Sequence, residues 1–159
     1  STFNVAFVGA MAIHKGGNIL KDLIRTNNNS NIKIHLFGKS ELPELTKNQK
    51  NYINHGPYRR GELPQLLIDN NIDLVCIFAT WPETYSYTLT ECYMASVPVL
   101  TFDIGAVGDR IKKDELGWTI SFSTNSTKIL EKIEEIRNNK EEYNNKKNNF
   151  KNYKFKTVS

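Results

Sequence analysis

Short apolar runs alternate along the chain with segments in which apolar residues recur every three or four positions. Runs of the first kind predict strands, and segments of the second kind predict helices that bury one face. The predicted strands cover residues 4–9, 33–38, 52–56, 74–79, 97–102 and 118–122. The predicted helices cover residues 18–25, 62–70, 85–95 and 106–113, and a further helix begins at Ser126. A short helix after Pro43 is left open within the polar connection 39–49.

This alternation predicts the fold class, an α/β fold with a doubly wound, Rossmann-like parallel sheet and helices on both faces. Strand–helix–strand units make right-handed crossovers, which lay successive strands parallel to one another. In such a sheet, ligands bind beyond the carboxyl ends of the strands. Gly9, Gly38, Gly56, Ala79 and Asp103 mark those ends. The residues around them are therefore candidates for a binding site.

Residues 1–159 are expected to form one domain, in which residues 126–159 are a C-terminal helix and a polar tail. The first part of this helix carries a continuous apolar stripe, made of Ile129, Ile133 and Ile136. Beyond it, Tyr143 and Phe150 continue the stripe at seven-residue steps. A stripe this sparse on a polar helix usually packs against another surface. Whether the chain itself contains that surface is open.

Composition excludes some classes of protein. The hydrophobic fraction of 39% and the charged fraction of 24% are typical of a soluble globular domain, and no apolar stretch approaches the ~20 residues of a membrane helix. The net charge is +4, but six of the 21 basic residues lie in residues 140–159, where they alternate with Asn and Glu. Such a run is more typical of a solvated helix face than of a nucleic-acid groove. We therefore expect no nucleic-acid partner.

The cysteines and histidines show no metal or redox motif. Cys76 lies in a predicted strand and Cys92 in a predicted helix, and neither belongs to a Cys-x-x-Cys pair. Both are expected to be buried and reduced. His35 lies in an apolar strand and is expected to be a satisfied core residue, whereas the role of His55 is open. The spacing of His, Asp and Glu suggests no metal site.

The most informative segment is residues 82–99, in which Glu83 and Glu91 are separated by seven residues at a strand-to-helix turn. Carboxylates accept hydrogen bonds from sugar hydroxyls. The first turn of a helix offers unpaired N–H groups to an anion. The pair therefore suits a ligand that carries both hydroxyls and phosphate.

Lys15 precedes two glycines at the start of the first predicted helix. A cation at such a place can neutralise a phosphate, because glycine lets the backbone approach and the helix dipole favours an anion. Taken alone, Lys-Gly-Gly is more often a turn, but the two glutamates strengthen the phosphate interpretation. The segment is neither G-x-G-x-x-G nor G-x-x-x-x-G-K-[ST], so dinucleotide binding and a P-loop are poorly supported.

Three further residues are left open. Asp103 closes a predicted strand and precedes Gly105, which favours a tight turn over a role in lining the cleft. Arg59 and Arg60 follow the third strand and could face a nucleotide or the solvent, with solvent favoured for at least one of them.

Four segments of the sequence resemble a known family. The resemblance rests on residues 8–16, 36–38, 82–91 and 98–105. Together they are similar to the C-terminal domain of glycosyltransferase family 4, the glycosyl transferases group 1, whose most specific mark is the Glu-x7-Glu spacing. Residues 82–91, taken with the Phe-Asp-Ile-Gly-Ala that begins at Phe102, resemble members that build bacterial surface polysaccharides.

The resemblance implies the donor-binding half of a retaining GT-B glycosyltransferase. Its substrate would be a nucleotide-diphospho-sugar, with no cofactor and no metal. Its partners would be an N-terminal acceptor domain, absent from this chain, and a polysaccharide or lipid-linked acceptor. The fragment would be inactive alone, and Ser1 in place of Met suggests a processed or excised piece. The expected location is the cytoplasm, with attachment to the inner face of the membrane left open.

The resemblance also implies roles for individual residues. Glu83 would hold hydroxyls of the donor sugar as the candidate catalytic residue, Glu91 would bind the ribose hydroxyls, and Lys15 would offset charge on the leaving diphosphate. The remaining donor-binding positions, most of them acting through backbone N–H groups, are Gly9, Tyr85, Ser86, Tyr87 and Thr88.

Departures from the family pattern keep alternatives open. Ala10 stands where many relatives have a second phosphate-binding cation, a charge that Arg59 or Arg60 could supply. Ser86 and Ser96 replace frequent glycines. The alternative function is a non-catalytic Rossmann-like module in a polysaccharide-synthesis complex. A nicotinamide-binding dehydrogenase half lacks its glycine fingerprint here.

Overall fold

The computed structural model describes residues 1–9, 15–78 and 86–155. The strands are β1 Phe3–Val8, β2 Ile32–Phe37, β3 Tyr52–Gly56, β4 Leu74–Ile77, β5 Val99–Phe102 and β6 Gly117–Ile120. The α-helices are α1 Lys15–Thr26, α2 Leu63–Asp69, α3 Ser86–Met94, α4 Gly105–Asp114, α5 Ser126–Asn138 and α6 Lys140–Asn149, with 3-10 helices at Pro43–Leu45 and Phe150–Asn152. No helix within the described ranges has both the length and the apolar character that crossing a bilayer requires.

The strands form one parallel sheet in the order β3-β2-β1-β4-β5-β6. The prediction of a doubly wound, Rossmann-like sheet is therefore confirmed. Val5 in β1 pairs with Ile34 on one side and with Leu74 on the other. Because β2 and β4 lie on opposite sides of β1, the connections that follow β1 and β4 diverge there. This divergence opens a crevice at the carboxyl edge of the sheet.

Alternate strand residues enter two separate core layers. In β1, Val5 and Phe7 pack in the layer that includes residues of α1 and α5, whereas Ala6 and Val8 pack with residues of α2, α3 and α4. Both cysteines are free and fully buried, as predicted, with Cys76 in the first layer and Cys92 in the second. Burial raises the pKa of both thiols, so the reactive thiolate is disfavoured.

The C-terminal region contains two α-helices, whereas one helix followed by a polar tail was predicted for residues 126–159. Asn139 separates α5 from α6, and its side-chain oxygen accepts a hydrogen bond of 3.1 Å from the backbone N–H of Glu142. This interaction caps α6, because it satisfies one of the N–H groups left unpaired in the first turn. The chain can therefore change direction at Asn139.

After this turn, α6 runs along the edge where the strands begin, opposite the crevice. The Tyr143 hydroxyl donates a hydrogen bond of 2.7 Å to the carbonyl of Asp73, directly before β4. Tyr143 also packs edge-on against Phe3, and Phe150 packs edge-on against Tyr93. The sparse apolar stripe thus has its packing surface within this chain. For Tyr143 and Phe150, the question that the sequence left open is therefore answered.

His35 is a satisfied core residue, as predicted, since its side chain is 4% exposed and both ring nitrogens have partners. Its Nε2 lies 2.9 Å from Oδ1 of Asn4, and its Nδ1 lies 2.8 Å from Nε2 of His55. The side-chain amide nitrogen of Asn4 donates to the carbonyl of Asn71, which leaves Oδ1 of Asn4 as the acceptor for His35. In the neutral network, His35 therefore donates through Nε2 and accepts from His55 through Nδ1. The open question about His55 is answered by this contact.

Acidification from pH 7 to pH 5 is expected to destabilise the protein through His35. Burial, followed by the charges of His55 and Lys33, lowers the pKa of His35 from 6.5 to about 4. Below pH 6.5 the unfolded chain therefore binds a proton that the folded chain does not, and stability falls as the pH drops from 6.5 to 4. At pH 5 this amounts to about 1–2 kcal/mol. Urea unfolding of the wild type and of His35→Gln at pH 7 and pH 5 measures this loss of stability. Equal losses of stability in the two proteins would contradict the role of His35.

Candidate functional site

A cleft of about 530 Å³ opens at the carboxyl edge of the sheet, a size suited to a small molecule. Its lining comes from the ends of β1, β2 and β3 and from α3. The described lining residues are Gly9, Gly38, Lys39, Pro57, Tyr58, Arg60, Tyr87, Thr88 and Glu91. Four of the residues that the sequence suggested for donor binding are among them, namely Gly9, Tyr87, Thr88 and Glu91.

The other suggested site residues are less fully placed. Lys15 is the first residue of α1, and Ser86 is the first residue of α3. Both helices follow a strand that ends at the crevice. Glu83 and Tyr85 lie outside the described residues. The roles suggested for these four residues stay predictions.

Two glycines bring the floor of the cleft together. The Gly9 N–H donates to the carbonyl of Phe37, and the Gly38 N–H donates to the carbonyl of Gly56, each at 2.9 Å. Gly38 has φ +151°, and a Cβ added to it would lie 1.9 Å from the Gly9 carbonyl oxygen. Only glycine fits this approach of backbone to backbone. The sequence predicted these glycines as strand ends, but it did not predict their contact.

Glu91 is the buried acid of the cleft, with 3% of its surface exposed. Its Oε2 accepts a hydrogen bond of 3.2 Å from the Gly61 N–H, and the carboxylate also interacts with the N–H of Leu63, the first residue of α2. Burial raises the pKa of Glu91, while these N–H groups and the positive charge of Arg60 act in the opposite direction. Glu91 therefore connects the loop before α2 to α3.

These two backbone contacts occupy only some of the acceptor positions of the Glu91 carboxylate. Its two oxygens offer about four acceptor positions. The remaining positions can accept hydrogen bonds from hydroxyl groups of a molecule in the cleft. Little further conformational entropy is lost on binding, because the loop already holds the carboxylate in place.

The two arginines that follow β3 have different environments. The guanidinium carbon of Arg60 lies 4.0 Å from the centroid of the Tyr87 ring, and both residues line the cleft. Both arginine side chains are exposed, but Arg59 is not among the lining residues. Its backbone N–H donates a hydrogen bond of 2.5 Å to Glu62 Oε1. Of the two residues left open by the sequence, Arg60 therefore lines the cleft, whereas Arg59 does not.

Sequence reasoning missed Lys39, Pro57 and Tyr58 as lining residues. Each follows closely after a glycine that marks the end of a predicted strand. Residues in those positions of adjacent parallel strands meet at one edge of the sheet. The strand ends therefore indicated this region of the chain, but they did not single out these three residues.

Asp103 lies in the short turn between β5 and α4, and its carboxylate contacts α4. Its Oδ1 lies 2.6 Å from Nζ of Lys112 in α4, and both side chains are about half exposed. Asp103 is not among the described lining residues. The tight-turn interpretation, which the sequence favoured, is the one that the structure supports.

Comparison with protein families gives a match over most of the chain. The family model for glycosyl transferases group 1 matches residues 2–156. A comparison with curated proteins finds no significant match.

Several solved structures are similar in fold. WaaG, a glycosyltransferase involved in lipopolysaccharide biosynthesis, has a TM-score of 0.75 and 18% identity over 96% of this chain and 42% of its own. Anabaena HepE, in complex with UDP and glucose, has a TM-score of 0.74 and 18% identity over 94% of this chain and 42% of its own. The C-terminal domain of LpcC, a glycosyl transferase group 1 family protein from Francisella tularensis, has a TM-score of 0.70 and 16% identity over 93% of this chain and 82% of its own.

These likenesses bear on the fold and on the length of the chain. At such identities they show that the sheet and its helices are arranged as in these three proteins, and they confirm the expected architecture. The chain spans 42% of the length of WaaG and of HepE.

Proposed function

The chain belongs to the glycosyl transferases group 1 family, and we propose that it forms the donor-binding half of a GT-B glycosyltransferase. The reaction is transfer of a glycosyl group from a nucleotide-diphospho-sugar to an acceptor, with retention of anomeric configuration. The observation that carries the proposal is the position of Glu91. The second acid of the Glu-x7-Glu pair is buried at the cleft, held by backbone N–H groups, beside the start of α3.

Each part of the cleft then has a chemical role. Glu91 accepts hydrogen bonds from the ribose hydroxyls. The N–H groups in the first turn of α3, at Ser86, Tyr87 and Thr88, lack intrahelical partners and bind the diphosphate, whose negative charge the helix dipole stabilises. Lys15 adds a positive charge at the start of α1, and Glu83 orients the donor sugar. In this proposal, N–H groups and cations stabilise the leaving diphosphate without a metal.

The structural neighbours support the class of donor. HepE has been solved with UDP and with UDP-glucose, which are a nucleoside diphosphate and its sugar. The involvement of WaaG in lipopolysaccharide biosynthesis supports a role in bacterial surface polysaccharide synthesis. We place the enzyme in the cytoplasm or at the inner face of the membrane.

The acceptor is expected to bind outside this chain. In a GT-B enzyme the acceptor, here a polysaccharide or a lipid-linked sugar, binds an N-terminal domain across the cleft. This chain spans 42% of HepE and of WaaG, which leaves room in a parent protein for such a domain. The 159-residue chain is therefore expected to bind donor without transferring its sugar.

Isothermal titration of the chain with UDP-, GDP- and TDP-sugars tests the proposal. We expect one base to be preferred, with affinity kept by the corresponding nucleoside diphosphate. Incubation with the preferred donor and a mixture of sugar acceptors is expected to give no glycoside product. Absence of binding by every nucleotide in the panel would overturn the donor-site assignment and would favour the non-catalytic module.

A further inference from the structure

Arg60 is placed beside the N-terminus of α3. Tyr87 is the second residue of α3, and side chains on a helix lean toward its N-terminal end. The Arg60 guanidinium, 4.0 Å from the Tyr87 ring centroid, is therefore near the first turn of the helix. The N–H groups of that turn lack intrahelical partners. A cation and a set of N–H donors thus converge on the same part of the cleft.

The backbone fixes Arg60 in this position. The Gly61 N–H is bound to Glu91 on α3, and Gly61 has φ +92°, which turns the chain sharply after Arg60. The Glu62 N–H donates to the carbonyl of Arg59 at 3.0 Å and closes the turn on its other side. A residue held between two such contacts loses less freedom when it binds a ligand.

The Arg60 guanidinium keeps N–H donors available while it lies over the Tyr87 ring. Its N–H groups lie in the plane of the group and point outward, so contact of one face with an aromatic ring leaves them free to bind oxygen atoms. A planar group of this kind matches the spacing of phosphate oxygens. The described basic residues of the cleft lining are Lys39 and Arg60, and of these Arg60 contacts α3.

We propose that Arg60 binds phosphate oxygens of the nucleoside diphosphate and supplies the positive charge that Ala10 does not. This role rests on the proposed function. It makes Arg60 a determinant of specificity for diphosphates over nucleosides. It also assigns a purpose to the contact between Glu91 and Gly61, which positions Arg60 through the backbone of the loop.

Titration of the wild type, Arg60→Met and Arg59→Met with the nucleoside, monophosphate and diphosphate of the preferred base tests the role. Methionine keeps the length and the apolar packing of the arginine stem while it removes the charge. We expect Arg60→Met to weaken diphosphate binding by about 10- to 100-fold and nucleoside binding by less than about two-fold. Arg59→Met, at the neighbouring exposed residue, is expected to change neither by more than about two-fold.

Salt dependence adds a second measurement, because an ion pair with phosphate is screened by salt. The diphosphate affinity of Arg60→Met is expected to fall less steeply with salt than that of the wild type. Equal weakening of nucleoside and diphosphate in Arg60→Met would overturn the phosphate role but leave the donor site intact. Unchanged diphosphate binding in Arg60→Met would likewise overturn the phosphate role of Arg60 and leave the donor site intact. Failure of the wild type to bind any of the three ligands would overturn the proposed function together with this inference.

Discussion

Replacement of Glu91 by glutamine is expected to weaken binding of the preferred nucleoside diphosphate by about 10- to 100-fold. Glutamine keeps a carbonyl oxygen that can accept from the Gly61 N–H, so the loop before α2 stays attached to α3. It removes the negative charge that strengthens hydrogen bonds from ribose hydroxyls. Isothermal titration of both proteins measures the effect. The matched control is Glu62→Gln, which removes an exposed carboxylate of the same loop that is not among the lining residues.

A 2′,3′-dideoxy nucleoside diphosphate separates direct contact from an effect on the loop. If Glu91 binds the ribose hydroxyls, their removal weakens binding to the wild type but has little further effect in Glu91→Gln. Equal penalties for the dideoxy ligand in both proteins would show that Glu91 acts only on the loop and would refute the ribose contact.

The same pair of proteins gives a pH test. Burial raises the pKa of Glu91 above its usual 4.5, so the carboxylate gains its proton at a higher pH than an exposed glutamate does. A protonated carboxyl is a weaker acceptor, and diphosphate affinity is therefore expected to fall as the pH drops through this raised pKa. In Glu91→Gln this part of the pH dependence is expected to be absent. A profile that is the same in both proteins would contradict the assignment.

Replacement of Gly38 by alanine is expected to destabilise the fold by about 2–4 kcal/mol. The added Cβ would lie 1.9 Å from the Gly9 carbonyl oxygen, and no side-chain rotation can relieve a clash between a Cβ and backbone. The ends of β1 and β2 must move apart, which also enlarges the floor of the cleft. Urea unfolding measures the loss of stability, and titration with the diphosphate measures the expected loss of affinity.

Gly56→Ala is the matched control, because Gly56 also has a positive φ, of +78°, but nothing lies within 4 Å of its added Cβ. Gly56→Ala is expected to lower the free energy of unfolding by about 1 kcal/mol, because only backbone strain opposes it. Gly117→Ala places its Cβ 1.9 Å from the Val99 carbonyl oxygen, at the edge opposite the cleft. It is expected to lower stability as Gly38→Ala does, but to leave the affinity of the folded protein unchanged. Equal stability of Gly38→Ala and Gly56→Ala would show that the clash is relieved at no cost.

The pattern of apolar residues predicted the strands and helices to within a few residues, because each buried strand or helix face requires its own local period. It also predicted the burial of Cys76, Cys92 and His35. These are properties of a single element and of the layer that it must enter. The alternation of elements was enough to predict a parallel sheet with ligands at its carboxyl edge.

The C-terminal helices show where local reasoning failed. Asn139 ends one helix and caps the next, but asparagine is also found within polar helices, so the break did not stand out in this Asn- and Lys-rich region. The hydrogen bond from Tyr143 to Asp73 joins residues 70 positions apart. No period along the sequence reveals a contact of that separation.

The sequence by itself determined the fold class, the strand ends and the Glu-x7-Glu pair, since these depend on local patterns and on the order of residues along the chain. Only the tertiary structure decided which side chains share the cleft. It separated Arg60 from Arg59, brought Gly38 against Gly9 and placed the Glu91 carboxylate on the N–H of Gly61. The physical reason is that neighbouring strand ends meet only after the sheet has formed, and the direction of each side chain there depends on the turn that follows.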